Sequence, residues 1–283
     1  MTIAHHPSSI IDQHARTLLG ASVTWDCLSG GRTNTGWVGR SKTRAIVYKI
    51  YRADRANPLF PNDSDHEWAC LSALTETGLV PRPIDRFGVG DDIVVAYEFV
   101  AGTTFTQTTP DVMQALYKLH IKGAPAGLRV LDSGADRFLE MGDQFLETVP
   151  MDVATRVRAN RPILRPLDKA APVFLHGDPV PANVIKTQTG VCFLDWQCPA
   201  IGDAVEDIYV ALSPAMHLIY GSGPLSKAEE ESVLNAYPDA ATVARFRTCR
   251  PFLAWRMAAY CAWKAAHGEA EYAACVEIEL SRT

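Results

Sequence analysis

The chain has 283 residues, of which 47% are hydrophobic and 21% charged, and its formal net charge is −5. This composition is ordinary for a soluble globular protein and fits one large domain or two. A negative net charge without a block of lysines and arginines argues against nucleic acid or an anionic membrane as a partner.

Three further features favour a cytoplasmic location. The seven cysteines are odd in number and include no C-x-x-C pair, which favours reduced thiols. The first residues lack the basic and apolar regions of a signal peptide. No apolar stretch approaches the length that spans a bilayer.

The first hundred residues are predicted to form a small sheet with one helix. Segments 22–26, 36–40 and 45–51 are rich in β-branched and aromatic residues, with turn residues between them. A helix is predicted over 64–78, because Ser64 and Glu67 fit a capping box and Gly78 fits the position after a helix end. Segments 81–88 and 92–100 then predict a hairpin.

The pattern becomes mostly helical beyond residue 100. Thr109 and Pro110 open a helix, and further helices are predicted over 137–149 and 152–160. Three short apolar strands follow, at PVFLH, NVIK and VCFLD.

The last part of the chain is predicted to be helical throughout. Ser226 and Glu229 fit a second capping box. A long helical segment runs from about Asp239 to His267, and Pro251 should kink or divide it.

The order of elements predicts an α+β fold with two lobes. We expect a small N-terminal lobe over residues 1–100, made of an antiparallel sheet and one helix, and a larger, mostly helical lobe over residues 101–283. Clefts between lobes are favoured places for ligands.

A stiff polar turn, HGDPVPANVI at residues 176–185, interrupts the apolar strands. Asp178 and Asn183 are five positions apart, and the next apolar strand ends at Asp195. Protein kinases hold a catalytic aspartate and a metal-binding asparagine at this separation, with a metal-binding aspartate shortly after at a strand end. Amide and carboxylate oxygens suit Mg²⁺, and Asp178 would accept or orient the proton of an attacking hydroxyl.

Upstream residues fit the same chemistry. Lys49 on a predicted strand is placed to contact nucleotide phosphates, and Glu67 on the following helix is placed either to pair with it or to cap the helix. The loop at 28–37, LSGGRTNTGW, would cover the phosphates, although it is neither G-x-G-x-x-G nor a Walker A loop. Its glycines and possible donors are Ser29, Gly30, Gly31, Thr33 and Asn34.

These stretches resemble the aminoglycoside phosphotransferase and choline kinase superfamily, small-molecule kinases with a protein-kinase-like fold. The matching stretches run in family order from residue 28 to 208 and are LSGGRTN, YKIY, HEWACLSAL, YEFVAG, HGDPVPANVI and LDWQCPAIGDAVEDI. The resemblance implies ATP and Mg²⁺ as cofactors, with Asp178 as the catalytic aspartate and Asn183 and Asp195 as metal ligands.

The resemblance also assigns the nucleotide-binding residues. It implies an ion pair between Lys49 and Glu67 that anchors the phosphates. It implies that the backbone of Glu98 to Val100, at the connection between the lobes, contacts adenine.

The phosphate acceptor is expected to be a hydroxyl of a small, amine-bearing metabolite. The GGRTN form of the first loop favours choline, ethanolamine and thiamine kinase-like members over the antibiotic-resistance enzymes. Near the C-terminal end, aromatic residues would either form a face for a cation or pack in the core of the larger lobe. They are Trp255, Tyr260, Trp263 and Tyr272.

Other functions stay open at this point. The chain could be an aminoglycoside phosphotransferase, although the three glutamates at 229–231 look like an exposed helix face. It could be a kinase homologue that binds a nucleotide without catalysis. A metal-dependent hydrolase using His176 and Asp178 would lack a third ligand at a suitable spacing. Asp203 and Asp207 would cap the next helix or brace the catalytic loop.

Overall fold

The computed structural model describes residues 6–28, 33–52 and 57–283. The strands are β1 (Thr24–Leu28), β2 (Thr35–Arg40), β3 (Ala45–Tyr51), β4 (Pro83–Val89), β5 (Asp92–Glu98), β6 (Thr103–Thr104), β7 (Arg129–Val130), β8 (Val173–Leu175), β9 (Val184–Lys186), β10 (Val191–Phe193) and β11 (Ala200–Gly202). The helices are α1 (Ser9–Leu19), α2 (Ser64–Leu74), α3 (Pro110–His120), α4 (Ala135–Phe145), α5 (Met151–Ala159), α6 (Val205–Leu212), α7 (Pro214–Tyr220), α8 (Lys227–Leu234), α9 (Ala240–Ala266) and α10 (Ala273–Leu280). In these described ranges no helix is long and apolar enough to cross a membrane.

The chain forms two compact units. The first comprises Met1–Gly102 and Thr187–Cys198, and the second comprises Thr103–Lys186 and Pro199–Thr283. The short segment that contains Asp195 therefore belongs to the first unit.

The first unit is built on an antiparallel sheet with the order β1-β2-β3-β5-β4. The predicted hairpin is confirmed as β4 and β5, whose register is antiparallel. Successive side chains of a strand point to opposite faces, so Ile46 and Tyr48 of β3 share one face while Lys49 lies on the other. The first face packs against Ile11 and Ala15 of α1, a helix that the sequence patterns did not predict.

The start of α2 differs from the prediction. The expected capping box of Ser64 and Glu67 is wrong, because Asp63 is the N-cap residue. Its carboxylate accepts hydrogen bonds from the backbone N–H groups of Asp65 at 2.8 Å and His66 at 2.9 Å. An aspartate caps a helix as well as a serine does and also interacts favourably with the helix dipole. Glu67 is thereby released from any capping role.

The second unit is organised around α9, which packs against α4, α5, α6 and α10. Three short strands form a sheet in which β11 pairs with β7 in parallel and with β8 in antiparallel register. The predicted capping box at the start of α8 is confirmed, since Ser226 and Glu229 exchange both hydrogen bonds.

Pro251 lies inside α9, which runs without interruption from Ala240 to Ala266, so of the two expected effects, a kink or a division, the division does not occur. Proline removes the hydrogen bond to the carbonyl four residues earlier. That carbonyl belongs to Arg247, which is exposed, so water can serve it. The helix is then buried continuously from Phe252 to Ala262, and this packing outweighs the lost bond.

Glu279 fastens the C-terminal helix α10 to the rest of the second unit. Its side chain is fully buried and accepts hydrogen bonds from the hydroxyls of Tyr209 and Ser213 and from the backbone N–H of Ala215 at 3.0 Å. Burial raises the pKa of Glu279 to about 7, and the hydrogen bonds from Ser213 and Tyr209 oppose only part of this increase.

We predict that Glu279 makes the protein less stable as the pH rises towards neutral. Its pKa is about 7 in the folded protein and 4.5 as a free side chain, so the folded state holds the extra proton between these values. The free energy of unfolding should therefore fall by roughly 3 kcal/mol over this range. Glu279→Gln, which cannot ionise, should remove that decrease in urea titrations at about pH 5 and about pH 8. Glu277→Gln, at an exposed position of the same helix, is the control. If the free energy of unfolding of Glu279→Gln fell between the two pH values as much as that of the native protein, the prediction would be contradicted.

Candidate active site

Lys49 of β3 is a buried cation placed between two carboxylates. Its Nζ donates hydrogen bonds to the carboxylates of Glu67 and Asp195 and to the hydroxyl of Tyr51 at 2.7 Å. Burial alone would lower the pKa of Lys49, but the charges of Asp195 and Glu67 outweigh it and raise this pKa above its ordinary value. Lys49 therefore stays protonated at any physiological pH.

Glu67 forms the ion pair that the sequence suggested as one of its two roles. It lies on α2, is 1% exposed and faces Lys49. Burial raises the pKa of Glu67, and the ammonium of Lys49 opposes this increase. A buried carboxylate of this kind is tolerated only because a cation is paired with it.

Asp195 has an unusual backbone conformation. Its φ of 61° is the only positive value of a non-glycine residue in the described part of the chain. This conformation is sterically unfavourable for a residue with a Cβ and is found where the surroundings hold it in place. The next residue, Trp196, is fully buried, and its indole N–H donates to the carbonyl of Phe193 at 3.0 Å. The buried indole thus fixes the turn that carries the Asp195 carboxylate.

The turn with Asp178 and Asn183 lies in the second unit and follows β8. Asn183 Nδ2 donates to the backbone carbonyl of Asp178 at 2.9 Å and to its Oδ2 at 3.2 Å. The N–H of Asp178 donates to His176 Nδ1 at 3.1 Å, so His176 supports the backbone, as expected of a structural histidine. These bonds fix the two predicted functional side chains relative to each other.

Asp207 of α6 holds the start of this turn through hydrogen bonds. Its carboxylate accepts hydrogen bonds from the backbone N–H groups of His176 at 2.7 Å and Gly177 at 2.8 Å, and from His120 Nε2 at 3.1 Å. Burial tends to raise the pKa of Asp207, but these hydrogen bonds and the neighbouring histidines lower it below its ordinary value. The carboxylate is therefore a permanent acceptor for the turn.

Asp203 has the other role that the sequence left open. Its Oδ1 accepts a hydrogen bond from the N–H of Val205 at the start of α6, and its Oδ2 accepts one from Arg245 Nε at 2.7 Å.

Sequence patterns did not identify His120, whose Nδ1 lies 2.8 Å from the hydroxyl of Tyr237. The one local signal was a histidine at the end of the apolar face of α3, and its partners are distant in sequence.

Some of the remaining residues predicted to bind the nucleotide lie within the described ranges, and others do not. Ser29, Gly30 and Gly31 lie outside them. Thr33 and Asn34 precede β2, and the amide of Asn34 bonds to Asn62 and Gln197.

The predicted adenine-contacting segment lies at the end of β5. The N–H of Glu98 donates to the carbonyl of Arg82 at 2.9 Å, and its side chain lies 3.4 Å from Arg44. Val100 follows the strand and is partly buried.

The donor chemistry of the predicted metal ligands fits a hard divalent cation. The amide nitrogen of Asn183 is used by Asp178, so its oxygen is the atom suited to a cation. Asp195 binds Lys49 through Oδ1, which leaves Oδ2 as a second hard donor. No cluster of three or more His, Cys, Asp or Glu side chains that could hold a metal occurs in the described ranges.

The aromatic residues near the C-terminus divide into two groups. Trp255 is fully buried, and its indole N–H donates to the carbonyl of Val157 at 2.8 Å, so it belongs to the core. Tyr260 stacks on Trp263 with ring centroids 6.1 Å apart and meets Tyr272 edge to face at 6.2 Å. We call these last three residues the aromatic cluster.

Burial and nearby charged groups both affect Tyr260 of the aromatic cluster. Burial raises the pKa of Tyr260, and neighbouring groups that include Asp178 and Glu269 raise it further. Tyr260 and Tyr272 are buried, whereas Trp263 is partly exposed.

The fold of the chain is that of small-molecule kinases. Choline kinase from Cryptosporidium parvum Iowa II has a TM-score of 0.64 at 13% identity, over 96% of this chain and 93% of that one. Spectinomycin phosphotransferase in complex with ADP and spectinomycin has a TM-score of 0.60 at 12% identity, over 97% and 95%. Amicoumacin kinase in complex with AMP-PNP and Ca²⁺ has a TM-score of 0.61 at 14% identity, over 98% and 92%. These likenesses confirm the predicted α+β, protein-kinase-like fold.

A family model agrees with the fold. The model of the phosphotransferase enzyme family matches residues 26–252, which is most of the chain. The chain belongs to this phosphotransferase enzyme family, and the resemblance seen in the sequence is confirmed. It is accordingly a small-molecule phosphotransferase. A sequence comparison with curated proteins gave no match.

We predict that Asp207→Asn destabilises the protein by about 2–4 kcal/mol at neutral pH, because an amide nitrogen would then face a backbone N–H in a buried site. The pKa of Asp207 is lowered by folding, so its stabilisation is present above the unfolded value of 3.8 and is lost as the pH falls through the folded value. Urea unfolding should therefore show that the difference between the two proteins shrinks in acid. Asp132→Asn, at an exposed position, is the control, and a difference that persisted in acid would contradict this role.

Proposed function

We propose that the protein is an ATP- and Mg²⁺-dependent kinase that transfers the γ-phosphoryl group to a hydroxyl of a small, amine-bearing metabolite. The observation that carries this proposal is the buried ammonium of Lys49, held by Glu67 and Asp195 in a chain of the phosphotransferase family. A cation held in this way is suited to the phosphates of a nucleotide.

The nucleotide side of the proposal rests on the first unit. Lys49 would contact the phosphates while Glu67 keeps it in place, and the backbone from Glu98 to Val100 would meet adenine. The loop that contains Ser29, Gly30, Gly31, Thr33 and Asn34 would cover the phosphates. The structures of related fold with ADP and with AMP-PNP support a nucleotide as the donor.

The metal would be held by Asn183 and Asp195. Mg²⁺, when bound, neutralises charge on the phosphates. The Ca²⁺ in the amicoumacin kinase complex is consistent with a divalent cation in this fold. The oxygens of Asn183 and Asp195 are of the type that Mg²⁺ prefers.

Asp178 would act on the acceptor. Its carboxylate accepts the proton of the attacking hydroxyl as the new O–P bond forms and the bond from the γ-phosphorus to the bridging oxygen breaks. Transfer is direct and in line, without a phospho-enzyme. The hydrogen bonds from Asn183 and the brace from Asp207 hold Asp178 in one orientation, as a reaction dominated by positioning requires.

The amine-bearing acceptor is favoured by the surroundings of Asp178. The aromatic cluster supplies a partly exposed indole at Trp263, and Asp178 supplies negative charge near Tyr260. Rings and carboxylates together attract an ammonium group.

The acidic run at 229–231 does not favour an aminoglycoside as the acceptor. Glu229 caps α8, Glu230 pairs with Arg250 and Arg282, and Glu231 pairs with Arg247. These glutamates are therefore engaged in the structure of the second unit itself.

We predict that Asp178→Ala lowers kcat by about 10²–10⁴-fold, because proton acceptance and orientation are lost. The affinity for Mg·ADP should stay within about threefold of the native value, since Asp178 is not a proposed nucleotide ligand. Calorimetry with Mg·ADP and a coupled assay of ADP release measure the two quantities. Asp132→Ala is the matched control, and native turnover in Asp178→Ala would exclude the mechanism.

We predict that a positively charged acceptor is preferred over a neutral one of the same shape. A panel of choline, ethanolamine, thiamine, simple sugars and aminoglycosides should show phosphorylation of an amino alcohol. Choline should be used with a kcat/KM about tenfold or more above that of its carbon analogue, in which carbon replaces the quaternary nitrogen. Trp263→Leu should reduce this ratio. Equal use of choline and the analogue would contradict a cation site.

A further inference from the structure

Three side-chain amides of the first unit form a connected cluster, which we call the amide cluster. Asn34 Nδ2 donates to Asn62 Oδ1 at 2.7 Å and to Gln197 Oε1 at 2.9 Å. Asn62 Nδ2 returns a hydrogen bond to Asn34 Oδ1 at 3.0 Å. The three residues are far apart in the sequence, so the cluster joins separate segments of the chain.

The cluster changes the role that the sequence assigns to Asn34. A side-chain amide has two N–H donors, and those of Asn34 are directed at Asn62 and Gln197. Any donation to a phosphate would have to break one of these bonds. The geometry therefore favours Asn34 as a structural connector over Asn34 as a direct phosphate ligand.

Gln197 is the member of the amide cluster that lies nearest in sequence to the predicted metal ligand Asp195. It is two residues after Asp195, is 3% exposed, and its backbone carbonyl accepts a hydrogen bond from the N–H of Asp63 at 3.0 Å. Asp63 is the N-cap of α2, the helix that carries Glu67. Gln197 thus connects the start of β2, the start of α2 and the turn at Asp195.

The turn at Asp195 needs such support. A left-handed conformation is unfavourable for residues with a Cβ, although less so for aspartate than for most, and it is stabilised where neighbouring groups fix the chain on either side. Trp196 is fixed by its buried indole, and Gln197 is fixed by both its side chain and its backbone. Releasing Gln197 would let the turn relax and move the carboxylate.

We propose that Asn34, Asn62 and Gln197 are positioning residues that hold Asp195 in its left-handed conformation and so aim its carboxylate at the divalent cation of the nucleotide. This inference rests on the proposed function, because it assigns the cluster a part in binding the metal–nucleotide complex. It assigns no contact between the cluster and the substrate.

Asn62→Ala tests the proposal, since Asn62 is only partly buried and is not a proposed ligand. The affinity for AMP-PNP is measured by calorimetry with and without Mg²⁺ in the native protein and the variant. Mutation of a residue that orients a metal ligand weakens metal binding by about 10–100-fold. The increase in AMP-PNP affinity caused by Mg²⁺ should therefore fall by at least about tenfold, while the affinity without Mg²⁺ stays the same.

Two variants make the test specific. Asn62→Gln keeps a side-chain amide that can both accept from Asn34 Nδ2 and donate to Asn34 Oδ1, and it should retain more of the Mg²⁺ effect than Asn62→Ala. Asn235→Ala, at an exposed position in the second unit, should behave as the native protein. Thermal unfolding confirms that each variant is folded, and Asn62→Ser replaces Asn62→Ala if the latter is not.

The outcomes separate this inference from the proposed function. If the native protein binds AMP-PNP more tightly with Mg²⁺ and Asn62→Ala does so equally, the inference is wrong and the proposed function stands. An equal loss of affinity with and without Mg²⁺ would also overturn it, because that result indicates a general structural role. If the native protein shows no Mg²⁺-dependent binding, the proposed function fails and the inference fails with it.

Discussion

The ammonium group of Lys49 is buried beside two carboxylates, and this arrangement sets the requirements for the rest of the first unit. One positive charge faces Glu67 and Asp195, so the group carries an excess negative charge. Removing the lysine would leave a buried, uncompensated carboxylate, which typically costs about 3–5 kcal/mol. The sheet must therefore place β3 accurately against α2, and the Asp63 cap and the turn at Asp195 must hold the two carboxylates at fixed positions.

The second unit also depends on a buried charged group, which here is a carboxylate instead of an ammonium. His176 and Gly177, at the start of the turn that carries Asp178, lie outside any strand or helix, so their backbone N–H groups need other acceptors. A single buried carboxylate, Asp207, accepts hydrogen bonds from both, and its Oδ2 also accepts one from His120. In both units a buried charge holds groups next to a residue with a proposed role in the reaction: Lys49 holds side chains, and Asp207 holds backbone N–H groups.

The local part of this architecture could be predicted from the sequence, and the long-range part could not. Lys49 and the spacing of Asp178 and Asn183 were found because residue type and separation are properties of a short segment. Ser64 and Glu67 fit the pattern of a capping box, but Asp63 directly precedes them and accepts from the free N–H groups of the first turn instead. The bonds of His120 to Asp207 and of Asn34 to Gln197 join residues that no spacing rule relates. Pro251 lacks the N–H group that a helix interior needs, but the free energy gained by burying α9 outweighs the lost hydrogen bond.

The charges around Lys49 also favour a nucleotide that carries a divalent cation over a free nucleotide. A triphosphate alone would bring further negative charge to a group in which the ammonium of Lys49 already faces two carboxylates. A triphosphate that carries a divalent cation brings less negative charge and presents a cation to the second oxygen of Asp195. That oxygen is useful only if the carboxylate already faces the cation, because reorienting a side chain held by Lys49 would break a partly buried ion pair. A left-handed turn fixed before binding therefore suits this site better than a flexible one, and the amide cluster provides such a turn.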